Sequence, residues 1–252
     1  GKIVSVLGDH MAPGMEIDIA LRSFELPHVW SPKALAQAES FGETIPQDAI
    51  QDRLDLRELP LVTIDGADAH CFDDAVYAEK LDSGNWRLWV AIADVSYYVK
   101  PDDNLDKDAQ ERATSVYFPS QVIPMLPEAL SNGLCSLNPE VDRLCMACEM
   151  IINQDGEIES YKFHQAVMNS KARLIYEQVA SILQENDSEL RNQYAHVLPG
   201  LKTMYELFHV MLKAREKRGA IDFEMTETQF MFDENRKISS IEPRQRNDAH
   251  RL

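Results

Sequence analysis

Basic residues are scarce in this sequence: 25 Lys and Arg stand against 42 Asp and Glu over 252 residues, a net charge of −17. Nonspecific affinity for nucleic acid comes from Lys and Arg releasing phosphate counterions, so the composition argues against a generic polyanion-binding surface. A polyanion could be met only in a confined channel, where metals and a few bases offset its charge. Arg112, Arg143, Lys171 and Arg173 are the candidates for that lining, although each taken singly reads as a surface residue. Cysteine is sparse as well, at four residues, with no second Cys or His pair at ligand spacing. That speaks against a transition-metal site and fits a reducing, cytoplasmic setting. No apolar run is long enough to span a bilayer, and no signal peptide is visible. Gly1-Lys2-Ile3-Val4 enters a strand directly, as if the chain began inside a domain.

The acids are unevenly spread. Ile64-Asp65-Gly66-Ala67-Asp68-Ala69-His70-Cys71-Phe72-Asp73-Asp74-Ala75 crowds four carboxylates into ten positions between two apolar, strand-like runs, Leu59–Ile64 and Ala75–Ala78. Like charges that close raise one another's pKa unless a divalent cation or a basic partner neutralises them. Asp65 closes the first strand, Gly66 permits the bend, and Asp73 and Asp74 sit at the entrance to the second. The pattern points to a hard-cation site for phosphate chemistry, with a solvated acidic loop as the bland alternative. A calcium-type structural site lacks an EF-hand pattern. His70 and Cys71, being adjacent, would not share one ion on an extended strand.

These residues, together with Trp89-Val90-Ala91-Ile92-Ala93-Asp94-Val95-Ser96-Tyr97-Tyr98-Val99, Thr114-Ser115-Val116-Tyr117-Phe118-Pro119-Ser120, Val122-Ile123-Pro124-Met125-Leu126-Pro127 and Leu130-Ser131-Asn132-Gly133-Leu134-Cys135-Ser136-Leu137, resemble the ribonuclease II/ribonuclease R (RNB) family of exoribonucleases, on its bacterial ribonuclease R side. The resemblance runs along nearly the whole chain. It implies processive 3′-to-5′ hydrolysis of RNA to nucleoside 5′-monophosphates by a metal-activated water, with Mg²⁺ or Mn²⁺ held by Asp65, Asp73 and Asp74. It implies a single-stranded RNA 3′ end as partner, structured RNA for the full-length protein, and neither DNA nor membrane. Tyr117 aligns with the family tyrosine that stacks on a base near the 3′ end, a contact worth about 1–3 kcal/mol per base.

One departure falls inside the motif. The family's aspartates stand at offsets zero, six, eight and nine, which land on Asp65, Cys71, Asp73 and Asp74. Asp68 is an acid additional to those four, and His70 stands where arginine is usual. A neutral thiol at position 71 removes one negative charge and offers a soft donor poorly suited to magnesium. Beside three carboxylates its pKa should rise, so thiolate formation does not restore the charge. The alternative reading is therefore a catalytically degenerate RNA-binding module of the same fold.

The expected architecture is α+β: a mixed, largely antiparallel sheet flanked by helices, preceded by a remnant of an OB-type β-barrel. Residues 1–25 read as closing strands of a cold-shock domain, with strands at Ile3–Leu7 and Met15–Leu21. Residues 26–54 read as a helical linker, with helices opening at Pro32, capped by Ser31, and at Pro46. Residues 55–252 read as the N-terminal portion of the catalytic domain. Within it, Trp86–Val95 is a strand, Leu105–Ala113 a helix, and Leu144–Gln154 pairs with Glu157–Val167 across Asp155-Gly156. Helices are expected over Ala172–Gln184 and Ser188–Lys217, broken near Pro199 and ended by Gly219. Strands follow around Asp233-Glu234-Asn235, and Asp248 opens a further helix. Cys135, Cys145, Cys148, Tyr97 and Tyr98 read as core residues, and Ile123–Glu128 as a rigid buried loop. In the family, the second half of the catalytic domain supplies an arginine and further channel lining.

Overall fold

A computed structural model describes residues 2–3, 6, 14–119, 121–221, 228–234, 238–244 and 246–252. The described residues fall into two compact units, one of residues 1–40, 99–128 and 225–244, the other of residues 41–98, 129–224 and 245–252.

In chain order the helices are α1 (Met15–Ser23), α2 (Pro32–Ser40), α3 (Gln47–Ile50), α4 (Val95–Tyr98), α5 (Asn104–Arg112), α6 (Tyr176–Ala180), α7 (Ser188–Gln193) and α8 (Leu198–Lys217). The strands are β1 (Leu54–Asp55), β2 (Val62–Asp65), β3 (Asp74–Lys80), β4 (Trp86–Ala93), β5 (Val116–Phe118), β6 (Gln121–Ile123), β7 (Asp142–Ile152), β8 (Ile158–Asn169), β9 (Ala172–Ile175), β10 (Thr228–Phe232) and β11 (Ile238–Pro243).

The larger unit is built on a seven-stranded sheet in the order β1-β8-β7-β4-β3-β2-β9. The pairs β1·β8 and β2·β9 are parallel and the rest antiparallel, so the sheet is mixed and largely antiparallel as expected. Period-two alternation gives it two apolar faces. On one face Val62, Ala78, Trp86, Ile152 and Leu174 pack with Val179 and Ile182 of the α6 region and with Leu201, Met204 and Leu207 of α8. The opposite face carries Leu61, Ala75, Trp89, Ala91, Ala93, Cys145, Ala147, Ala166 and Met168, covered by Phe72 and Leu137. Beneath it Arg53 and Asp94 form an almost fully buried ion pair at 2.6 Å, with Ser96 Oγ donating to the second Asp94 oxygen at 2.6 Å.

In the smaller unit α2 meets α5 through Gln37, whose Nε2 donates to Asp103 and whose Oε1 accepts from the Asn104 and Leu105 amides. Asp103 also caps α5 by accepting from the Asp106 amide at 2.7 Å. Ser31 caps α2 from the Ala34 amide, as expected.

Four expectations are corrected. Met15–Leu21 is helix, not strand: Met15, Ile17, Ile19 and Leu21 alternate, but Glu16 and Asp18 in the first turn and Arg22 in the last suit a helix dipole, and Leu21 is the position buried. The strand at Ile3–Leu7 lies outside the described residues apart from Ile3 and Val6. Ala172–Ile175 is a strand that pairs in parallel with β2, and the helix begins only at Tyr176; four residues are too few to show a period. The segment after Ser188 divides at Tyr194–Val197, and Pro199 sits in the first turn of α8, where its missing N–H costs nothing. Arg112 and Arg143 are buried rather than on the surface. The Arg112 guanidinium lies 3.4 Å over the Trp30 ring and donates to the carbonyls of Pro27 and Pro124.

Candidate active site

The acidic motif is the connection between two antiparallel strands. Asp65 ends β2, Asp74 begins β3, and because Val62 pairs with Val76 the two carboxylates come to the same end of the sheet. The Ala93 amide, at the end of β4, donates to the Asp73 carbonyl at 2.9 Å and fixes that residue's backbone.

Burial first, then the Asp74 and Asp73 carboxylates, push the Asp65 carboxyl up to about 6, with Arg173 acting in the opposite sense. Asp73 is raised by burial and by Asp74, and Asp74 by burial. Asp65 Oδ2 is buried and accepts no hydrogen bond. An unsatisfied buried carboxylate oxygen facing like charges is a cost that a hard cation removes, and oxygen donors are the set such a cation prefers. In donor type and electrostatics the three residues fit a divalent ion. Among the described residues, however, no group of three His, Cys, Asp or Glu side chains is already disposed to hold one.

The thiol of Cys71 is partly buried and donates to Asn132 Oδ1 at 3.2 Å. Burial and then Asp73 push its pKa up, while a hydrogen bond with Ser131 works the other way. Cys71 is thus a neutral thiol already engaged by an amide. Beside it Phe72 is buried, its amide donating to Ser136 Oγ at 3.1 Å and its carbonyl accepting from the Leu137 amide at 2.8 Å.

The segment carrying Asn132 and Ser136 is a short π-helix, Ala129–Leu134, and the turn after it. Arg143 braces it from β7, with Nε donating to the carbonyls of Gly133 and Ser136 at 3.0 Å each. Burial lowers the Arg143 pKa. Arg143 therefore acts as scaffold beneath the motif rather than as lining of a channel. Arg173, second residue of β9, reaches the loop from the other side: its Nη2 donates to the carbonyls of Ala67 at 3.3 Å and Ala69 at 3.2 Å, and its guanidinium lies 4.6 Å from the Phe72 ring centroid. Lys171 is tied back, its amide to the Leu61 carbonyl and its Nζ to Asn169. His70 is exposed on the loop.

The roles of Asn132, Ser136 and Arg173 beside the motif were not legible in sequence, since each is brought there by pairing or packing over 61 residues or more. Of the thiols, Cys135 and Cys145 are buried and pushed up to about 12 by burial, so they are inert core residues. Cys148 is half-buried instead, and lies three residues from Cys145 along β7, on the opposite face. Tyr98 is core, packed edge-on against Phe41 and Tyr97.

In the smaller unit, Tyr117 sits at the centre of the β5–β6 hairpin opposite Val122, and is 70% exposed. The hairpin is closed below by the Met125 amide donating to Ser115 Oγ at 2.9 Å. Ile123, Leu126 and Pro127 are buried, so the proline-rich run packs as a loop.

Residues 53–252 match the RNB domain and residues 1–31 the cold shock domain. The chain is 58% identical to ribonuclease R of Vibrio cholerae over its full 252 residues, which span 31% of that protein. Ribonuclease R of Escherichia coli is also 58% identical over the same length, again 31% of the relative. The chain thus spans about a third of the curated relatives it matches. Among solved structures, Mycoplasma genitalium RNase R in complex with ribose-methylated single-stranded RNA superposes with a TM-score of 0.86 at 30% identity, covering 97% of this chain and 38% of that one.

Proposed function

We infer, because this chain belongs to the RNB-domain family, that the whole protein is a 3′-to-5′ exoribonuclease that hydrolyses RNA processively to nucleoside 5′-monophosphates. The observation that carries the reading is the raised Asp65 carboxyl, its buried Oδ2 without a hydrogen bond, set against Asp73 and Asp74. Asp65, Asp73 and Asp74 would hold the catalytic cation, Mg²⁺ or Mn²⁺. Such an ion, when bound, lowers the pKa of water and stabilises charge on the transferring phosphoryl group.

The chain's own residues do the rest. Water attacks phosphorus and gives up a proton, the bond from phosphorus to the 3′ oxygen of the preceding nucleotide breaks, and that oxygen takes up a proton as the terminal nucleoside 5′-monophosphate leaves. Tyr117 supplies an exposed ring for stacking a base near the 3′ end, a contact indifferent to sequence. Phe72, held by Ser136 and Leu137, fixes the backbone on which the carboxylates sit. Cys71 contributes neither charge nor a hard donor, because burial and then Asp73 hold it as a neutral thiol, which donates to Asn132. It is the one observation that favours the second reading, a degenerate RNA-binding module of the same fold.

In this assignment residues 1–25 end a cold-shock domain, 26–54 form a linker and 55–252 begin the catalytic domain. The partner is the 3′ end of single-stranded RNA, and structured RNA for the full-length protein; the Mycoplasma relative in complex with ribose-methylated single-stranded RNA supports RNA as the partner. A cytoplasmic setting is supported by four free thiols, and among the described residues no helix is long and apolar enough to cross a membrane.

The test is digestion of 5′-labelled single-stranded RNA by the full-length protein with Mg²⁺. Conversion of each labelled strand to a short 5′-end product with few intermediates, abolished by Asp65→Asn, is expected. RNA retention without shortening supports the degenerate module, and internal cuts contradict the exonuclease reading.

A further inference from the structure

We infer that Arg173 is the positioning residue of the carboxylate loop: it clamps residues 66–72 so that Asp65, Asp73 and Asp74 are presented to a cation in one arrangement. The inference rests on reading those three residues as cation ligands. Arg173 pairs with Thr63 across the parallel β2·β9 ladder, so strand register alone delivers its guanidinium beside the point where the loop leaves β2. There it makes three contacts of two kinds, to the Ala67 carbonyl, the Ala69 carbonyl and the Phe72 ring.

Within the loop the Ala69 amide bonds to the Gly66 carbonyl at 3.1 Å, and on the far side Cys71 is anchored to Asn132 and Phe72 to Ser136. Four acids between positions 65 and 74 repel one another, so an internal positive tether decides whether the loop stays closed. Arginine is suited to this role because its planar fork donates in fixed directions while its face lies on a ring. A lysine keeps the charge but presents a single point donor. Asp65 and Asp74 stand on the strand ends and the Ala93 amide holds the Asp73 backbone, so the clamp acts on the backbone that joins them, residues 66–72. A direct phosphate contact is the competing role, and it makes different demands: it leaves the loop's order untouched and acts on RNA affinity.

The experiment compares full-length protein with its Arg173→Met and Arg173→Lys variants. It reads amide hydrogen exchange at Ala69 and Phe72 without metal, Mn²⁺ affinity by electron paramagnetic resonance, and kcat and KM on single-stranded RNA over a salt series. Arg173→Met is expected to speed exchange at both amides and to weaken Mn²⁺ binding by about 10–100-fold, the range for partners just outside a metal's ligands. It is expected to lower kcat with KM unchanged. Arg173→Lys should fall between the two in Mn²⁺ affinity. Unchanged exchange and Mn²⁺ affinity, with a raised KM and a salt slope reduced by about one, would make Arg173 a phosphate contact and overturn the inference. Should Arg173→Met not fold, Arg173→Lys and Phe72→Leu carry the same test: both must speed exchange in the loop while the β7–β8 hairpin stays protected. Wild-type protein that binds no Mn²⁺ would sink the cation reading itself, and the exchange rates alone would then decide the clamp.

Discussion

Asp65 keeps its proton to about pH 6 in the folded chain because burial and the Asp74 and Asp73 carboxylates oppose its charge, against an ordinary value of 3.8. A carboxyl with a raised folded pKa contributes stability that is fully present below about pH 4 and lost as the pH rises through 6. Metal-free protein is therefore expected to lose stability between about pH 4 and 6, and added divalent cation to restore it most above pH 6. Denaturant midpoints at pH 5 and 7.5, with and without Mn²⁺, measure this. Asp65→Asn should reduce the pH dependence, with Asp73 and Asp74, also raised, supplying the remainder, and should weaken the response to cation without destabilising the metal-free protein at pH 7.5. The position of Asp65 at a strand end was legible from the apolar run before it and the glycine after it, and so was the rise of the Cys71 pKa. The partners were not legible: nothing local to Cys71 or Phe72 indicates Asn132 and Ser136, which arrive with the π-helical segment that Arg143 braces.

Among the elements, the hairpin of β7 and β8 was readable at once from Asp155-Gly156 between two apolar runs, and it forms with Gly156 at φ +77°. A methyl group there would lie 2.8 Å from Ala214 Cβ and 3.0 Å from the Val210 carbonyl of α8. Gly156→Ala is expected to cost about 2–4 kcal/mol, combining left-handed backbone strain with overpacking. Adding Ala214→Gly should recover only the packing part, as read by chemical denaturation. The elements misread are those whose local signal was ambiguous. Four residues of β9 show no period, and the alternation of Met15–Leu21 fits a strand until its charges are placed on a helix dipole. Both are settled by what they pack on rather than by propensity. The Arg53–Asp94 pair joins the segment before β1 to the end of β4 with both side chains almost fully buried. Breaking it on one side, as in Arg53→Met, should cost about 3–5 kcal/mol, and Arg53→Met with Asp94→Leu distinctly less, because no charge is then stranded.

At the scale of the whole molecule, a net charge of −17 and the proposed RNA substrate are reconciled only if contact with phosphate is local and assisted by cations. The family resemblance was legible because it rests on several long words in a fixed order, and the RNB and cold-shock matches agree with it. The sheet order was not: it depends on β9 returning beside β2, a pairing between residues 110 apart. That return gives the acidic loop its arginine, while Cys71 takes away one of the family's acids. The most direct measurement compares full-length protein with its Cys71→Asp variant in Mg²⁺-dependent shortening of 5′-labelled single-stranded RNA. The substitution is expected to raise the rate by at least about 10²-fold, the upper end of what a partner just outside the metal's ligands costs. Equal rates in the two proteins would contradict the view that the thiol weakens the cation site.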